Sequence, residues 1–156
     1  PTIISYCDYY MSWNYDKFKR FVAESNCDGS IVCYSGFHPH LIPNENVYAS
    51  CLIDEKSNLI QIKEKYSYSK NKMESNHSVG LYYFKKASYI KRYFNQLIEE
   101  KQTINNEYYA SLPYNYMVRD SLTIKIYNEV HHFCQWGTPQ DLEEYLFWAN
   151  SIKGQS

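Results

Sequence analysis

The sequence predicts a mixed α/β domain around one sheet. Three observations predict it. Short β-rich runs at residues 2–7 and 30–34 bracket an amphipathic stretch at 15–25. Further apolar runs follow, separated by turn-forming clusters rather than long linkers. A near-complete helix-start signal, Thr138-Pro139-Gln140-Asp141, opens the last segment. The length, 156 residues, suits one compact domain able to bury a core.

Residues 2–7 end at Asp8 and read as a buried strand delivering a carboxylate at its C-terminal end. Phe18, Phe21 and Val22 recur at helical spacing among charged residues, so residues 15–25 form an amphipathic helix with Asn14 as N-cap. Asp28-Gly29 is a turn, and Ile31, Val32 and Cys33 mark a second buried strand. Strand, helix and strand with short joints make one βαβ unit, hence a parallel pair. Residues 36–46 are irregular, with Gly36, Pro39 and Pro43. Residues 47–53 and 59–63 flank the polar turn 54–58 as a β-hairpin. The Ser-, Lys- and Asn-rich residues 66–76 read as a mobile loop, and residues 77–84 as another strand. Ile90, Tyr93, Leu97 and Ile98 space a helix over residues 88–100. A second helical segment is expected over residues 105–118, interrupted by Pro113. Leu122, Ile124 and Ile126 alternate as a strand, and residues 130–136 form a closing strand. The final helix has Thr138 as N-cap and Pro139 at its first position, and Gly154 lies beyond its end.

Net charge is −1, from 16 basic and 17 acidic residues, so no single-sign field favours nucleic acid or an anionic membrane. No apolar run approaches the roughly 20 residues that span a bilayer. No charged-then-apolar signal segment precedes the domain. The five cysteines, Cys7, Cys27, Cys33, Cys51 and Cys134, are widely spaced without a C-x-x-C. Buried reduced thiols in a cytoplasmic compartment are therefore expected. The 18 tyrosines suggest that some rings line a polar pocket, while others simply pack with their hydroxyls in water. The chain opens on Pro1 and at once enters an apolar run, which reads as a fragment of something longer.

Several residues could carry chemistry. Asp8 at a strand end sits where open α/β sheets bind ligands, and Mg2+ takes one or two carboxylates plus phosphate oxygens. A solvated loop acid is the plainer reading. Glu64 can accept hydrogen bonds from paired sugar hydroxyls, and Lys65 can neutralise phosphate as a point charge. A charged, solvated strand end explains the same pair. Asn105-Asn106-Glu107 offers sugar or metal partners, or equally the start of a helix. His38 and His40 have no third ligand at a convincing metal spacing.

Taken in order, these residues resemble a known family. The run is Ser5-Tyr6-Cys7-Asp8, Asp28-Gly29-Ser30-Ile31-Val32, Glu64-Lys65, then residues 78–84, Asn105-Asn106-Glu107-Tyr108-Tyr109, and residues 136–142. It looks like the sugar-phosphate nucleotidyltransferases, or nucleoside-diphosphate-sugar pyrophosphorylases, of the capsule and surface-polysaccharide type. The resemblance extends from Thr2 to about Asn150. It implies a three-layer α/β/α, Rossmann-like and glycosyltransferase-A-like mixed sheet. Residues 1–156 would be its C-terminal, acceptor- and metal-binding part, with the N-terminal half missing. It implies transfer of a nucleotidyl group from an NTP to a sugar 1-phosphate, with Mg2+ as cofactor and pyrophosphate released.

By the resemblance, Asp8 is the Mg2+-holding catalytic carboxylate and Lys65 the lysine meeting the acceptor phosphate. Glu64 grips sugar hydroxyls, Gly80 lets the backbone approach the sugar, and Asn106 and Glu107 belong to the pocket. Gln135 stands where many relatives carry a second metal-binding Asp, and is a weaker, neutral ligand. Nothing matches the Gly-rich loop with which relatives cradle the triphosphate. The 156-residue piece alone is therefore expected not to turn over. Two alternatives follow: a catalytically inactive sugar-phosphate-binding module, or a cytidylyltransferase acting on a non-sugar alcohol phosphate.

Overall fold

The computed structural model describes residues 1–43 and 48–153. The strands are β1 (Thr2–Ser5), β2 (Tyr9–Ser12), β3 (Gly29–Tyr34), β4 (Ser50–Ile53), β5 (Leu59–Lys63), β6 (Asn76–Phe84), β7 (Ile124–Tyr127) and β8 (His132–Gln135). The helices are α1 (Tyr15–Ser25), α2 (Ala87–Glu99), α3 (Pro113–Arg119) and α4 (Pro139–Lys153). Short 3-10 turns occur at Pro39–Leu41 and Lys72–Glu74. The expected starting residue of the hairpin, Val47, and the expected terminator Gly154 lie outside the described residues.

The main sheet runs β5-β4-β6-β3-β7, and β1 also pairs with β6. β6 meets β1 and β3 over the same residues, Leu81 to Phe84, and is antiparallel to both. β1 and β3 therefore run in the same direction but lie on opposite sides of β6. The expected βαβ unit has the right strand directions and the wrong neighbours. The adjacent parallel pair is β3 with β7, from Gly29↔Ile124 to Val32↔Tyr127. A local strand-helix-strand pattern specifies direction, but β6, from far along the chain, supplies the ladder between the two strands. β1 is also not buried as expected: Thr2 and Ile4 are half-buried and Ile3 and Ser5 exposed, because β1 lies outside the central path.

Two further expectations change. Residues 132–135 do not close the main sheet but form an antiparallel ribbon with β2, from Tyr9↔Gln135 to Ser12↔His132. Pro113 opens α3 rather than interrupting a longer helix, since the first helical turn has no use for its missing N–H. Upstream, Asn105 and Asn106 both adopt positive φ, 52° and 64°. Ile104 and Glu107 exchange backbone hydrogen bonds of 3.0 and 3.0 Å across them, a hairpin turn that suits Asn. These residues are thus a turn and not a helix start.

The helix caps follow the sequence. Asn14 Oδ1 accepts from Lys17 N at 2.9 Å. At α4, Thr138 Oγ1 accepts from Asp141 N at 3.2 Å, and Asp141 Oδ2 accepts from Thr138 N at 3.1 Å, a reciprocal capping pair.

Side chains alternate along the buried strands and divide the core between two faces. Ile31, Cys33, Tyr82, Phe84, Ile124 and Ile126 pack toward α2 and α3, against Tyr93, Leu97, Tyr114 and Met117. Val32, Tyr34, Leu81 and Tyr127 pack toward α1 and the β2–β8 ribbon, against Phe18 and Phe133. The result is three layers, with the sheet in the middle. The cysteines are free thiols. Among the described residues, no helix is long and apolar enough to cross a membrane.

Candidate functional site

A cleft of about 170 Å3 opens where the β2–β8 ribbon meets β6 and the end of β5. Asp8, Glu64, Gly80 and Gln135, far apart in sequence, all line it.

Asp8 follows β1 at the start of the ribbon. Its carbonyl accepts from Trp136 N at 2.8 Å, tying it to the opposite strand. A Cβ on Gly137 would come within 3.4 Å of Asp8 Oδ2, so the carboxylate lies directly beside that glycine. Gln135 sits one residue before Trp136. Its Nε2 donates to Asp141 Oδ1 at 3.0 Å, and its Oε1 accepts from the Tyr48 hydroxyl. Both ends of the amide are therefore held, by the N-terminal turn of α4 on one side and by Tyr48 on the other.

Glu64 follows the last residue of β5. Burial pushes its carboxyl pKa up, partly offset by the hydrogen bond from the Ser111 hydroxyl and by Lys65. Lys65 has φ +52°, so the strand ends here and the two neighbours are freed from opposite-face alternation. Lys65 does not line the cleft. Its Nζ lies 5.7 Å from the Tyr109 ring, which does line it, and interaction with the Tyr109 hydroxyl raises the Lys65 pKa. Glu107 is exposed and accepts from that same hydroxyl, while Asn106 is exposed in its turn. Neither Asn106 nor Glu107 lines the cleft. Lys65 and Glu107 meet it only at the rim, through Tyr109.

Gly80 occupies a break in the β3–β6 register: Val32 faces Leu81 but Cys33 faces Ser78, leaving two residues of β6 unopposed. Its φ is +87°, and Ser78 Oγ accepts from its N–H at 3.1 Å. A Cβ here would stand 2.4 Å from Tyr6 Cδ2. The close neighbour that requires glycine is thus the Tyr6 ring of the chain itself.

Sequence reasoning did not assign the tyrosines to the site. Tyr6, Tyr9, Tyr48, Tyr82 and Tyr109 all line the cleft. Tyr6 meets Tyr82 edge-on at 6.2 Å, and the Tyr82 hydroxyl accepts from Ser78 Oγ at 3.1 Å. Burial, then Glu64, raises the Tyr82 pKa. Tyrosine abundance was the available signal, but it carried no positions. Asp141 was read only as a helix cap and also orients Gln135.

Among the described residues no group of three or more His, Cys, Asp or Glu side chains could hold a metal. His38 and His40 instead surround Tyr34, whose hydroxyl lies 2.9 Å from His40 Nε2. Of the two carboxylates lining the cleft, Asp8 and Glu64, Asp8 stands with the Gln135 amide, whose oxygen already accepts a hydrogen bond. That donor set fits an ion carried in largely by phosphate and water oxygens, which is how Mg2+ commonly binds.

Neither a protein-family model nor a curated protein sequence matches the chain. Among solved structures it is similar to the nucleoside-diphosphate-sugar pyrophosphorylase from Vibrio cholerae RC9, with a TM-score of 0.64 and 18% identity. The match covers 80% of this chain and 48% of that one, so the chain spans about half the length of the structure it matches. Identity this low speaks to architecture, and the architecture is a mixed α/β, nucleotidyltransferase-like fold.

Proposed function

We propose that residues 1–156 are the acceptor-binding part of a nucleotidyltransferase that joins a nucleotidyl group from an NTP to a sugar 1-phosphate, as in nucleotide-sugar synthesis for surface polysaccharide. The observation that carries this reading is the convergence of Asp8, Glu64, Gly80 and Gln135 on one tyrosine-lined cleft within this fold. Glu64 accepts hydrogen bonds from acceptor hydroxyls. Being largely desolvated, with Lys65 only partly offsetting that cost, it gains from donors that arrive with the ligand. Lys65, exposed at the rim, meets the acceptor phosphate as a point charge. The tyrosine rings flank the sugar and keep bulk water from it.

Asp8 would hold Mg2+ together with phosphate oxygens, and the ion would neutralise charge on the phosphates being joined. Tyr48 and Asp141 hold Gln135 in place beside Asp8. For a reaction that asks little covalent chemistry of the protein, such fixed positioning is the main contribution. The NTP is engaged by a part of the protein that this chain does not match. The 156-residue chain therefore binds acceptor without releasing pyrophosphate.

Calorimetric titration of the chain with glucose 1-phosphate in Mg2+ tests the reading. Glu64→Gln weakens binding by about tenfold, the effect of weakening one charge-assisted hydrogen-bond acceptor. Glucose 1-phosphate that fails to bind, or binds the Glu64→Gln variant equally well, would exclude this acceptor site. A second reading has its own support. Tyrosine faces beside Asp8 and Glu64, with no Lys or Arg among the described residues lining the cleft, also suit a cationic ammonium head. Phosphocholine binding tighter than glucose 1-phosphate in the same titration would favour a cytidylyltransferase for an alcohol phosphate. The binding-only alternative draws on the fully engaged Gln135 amide, and Mg2+-dependent NTP binding by the whole protein argues against it.

A further inference from the structure

Ser111 does not line the cleft, yet it is fully buried and its hydroxyl donates to Glu64 Oε1. It stands at the approach to α3, where its carbonyl accepts from Tyr114 N at 3.1 Å. Further along α3, both ends of the Asn115 amide are tied to the backbone of β5. Oδ1 accepts from Ile62 N at 2.9 Å, and Nδ2 donates to Ile62 O at 2.9 Å. Asn115 thus takes the place of a neighbouring strand on the outer edge of β5. Ser111 precedes Asn115 by four positions, and Glu64 follows Ile62 by two. Four residues of helical backbone advance about 6 Å and two of strand about 6.5 Å, so the two contacts between α3 and β5 keep step. The Asn115–Ile62 clamp therefore fixes where Ser111 meets Glu64. Among the described residues no other side chain donates to this carboxylate.

We infer that Ser111 is a positioning residue of the cleft: by occupying Oε1 it holds the Glu64 carboxylate in one orientation and leaves Oε2 to the hydroxyls of the ligand. The inference rests on the reading of Glu64 as the group that accepts from acceptor hydroxyls. A carboxylate already held at one oxygen has less freedom to lose when the ligand arrives. The same hydrogen bond favours the charged form of Glu64 against its burial, and Lys65 adds a smaller influence in the same direction. Tyr6, Cys51 and Tyr82 face Glu64 from the end of β1, from β4 and from β6. Burial foremost, with Glu64 contributing, raises the pKa of each, so all three are uncharged at neutral pH. Asp8 shares the cleft as a second carboxylate.

Calorimetric titration of glucose 1-phosphate between about pH 5 and pH 8 tests the inference. It is run on the natural chain, Ser111→Ala, Glu64→Gln and the double variant, each checked for its fold by circular dichroism. Ser111→Ala should weaken binding about tenfold on the acid side, the weight of one hydrogen bond to a charged group. It should also move the acid loss of binding to higher pH. The ligand's own phosphate titrates alike in all four and cancels from the comparison. In the Glu64→Gln background Ser111→Ala should leave the pH profile in place, because no carboxylate remains there to titrate. Carbon-13 NMR of the Glu64 carboxyl without ligand supplies an independent readout, with a higher midpoint in Ser111→Ala. Ser111→Cys keeps the volume and weakens the donor, so it shows the same direction of shift without the void that alanine leaves. An unmoved Glu64 midpoint, or affinity and pH profile equal to those of the natural chain, overturns the inference and leaves Glu64 as the acceptor-binding group. Absence of binding by the natural chain removes the acceptor reading and the inference together.

Discussion

Gly80→Ala tests how the cleft is built. Two costs meet at this position. The backbone stands at φ +87°, a conformation that costs an L-residue about 1–2 kcal/mol. The new Cβ would also lie 2.4 Å from Tyr6 Cδ2 and 3.2 Å from Tyr6 Cγ, where carbon atoms prefer about 3.5–4.0 Å. Because Cγ is the root of the ring, Tyr6 cannot yield by a small tip movement. It must rotate away from its edge-on contact with Tyr82 and out of the cleft. Overpacking of this kind costs about 1–3 kcal/mol. The total is therefore about 3 kcal/mol, a large fraction of the roughly 5–15 kcal/mol of a typical domain. Urea unfolding followed by circular dichroism measures it. The Tyr6→Ala background separates the two costs, because it removes the clash and leaves the dihedral. Gly80→Ala should then cost only about 1–2 kcal/mol, with a coupling energy of about 1–3 kcal/mol between the two sites. A loss under about 0.5 kcal/mol for Gly80→Ala, or a cost unchanged by Tyr6→Ala, would refute the steric account.

Asp8→Asn should abolish the Mg2+-dependent part of sugar-phosphate binding while moving the urea midpoint little, since Asp8 is exposed and the swap nearly isosteric; full retention of the Mg2+ effect by calorimetry would remove Asp8 from the metal site. Burial, then His38 and His77, lowers the His40 pKa from 6.5 to about 4. The fold thus favours neutral His40, and its contribution to stability is complete above about pH 6.5 and lost as pH falls through about 4. Urea titrations at several pH values in that window should show a shallower acid loss for His40→Gln than for the natural chain; equal slopes would contradict the assignment. Thr138→Val removes the α4 cap and should cost about 1 kcal/mol, read by thermal melting. It also loosens Asp141 and hence Gln135, so acceptor affinity should fall with it, and an unaffected affinity would uncouple the cap from the cleft.

Local signals in the sequence were sufficient for several pieces of the fold. The helix of residues 15–25 and its Asn14 cap, the hairpin around residues 54–58, and the Thr138/Asp141 capping pair all depend on groups within a few positions of one another. Such short-range chemistry is legible because no distant residue is needed to satisfy it. The family resemblance likewise anticipated the layered α/β architecture.

Adjacency was legible only in three dimensions. That β6 separates β1 from β3, and that residues 132–135 join β2 instead of the main sheet, follows from ladders between strands many residues apart. Period-two apolar patterning tells a strand which face to bury, and says nothing about which strand lies beside it. The cleft obeys the same division. Asp8, Glu64, Gly80 and Gln135 could be named from sequence, whereas the tyrosines around them, the bridge from Tyr48 through Gln135 to Asp141, and the exclusion of Asn106 and Glu107 from the lining came from tertiary packing. Composition says that tyrosines are abundant, and only packing decides which of them share a wall, because burial of a side chain is a property of its spatial neighbours and not of its neighbours along the chain.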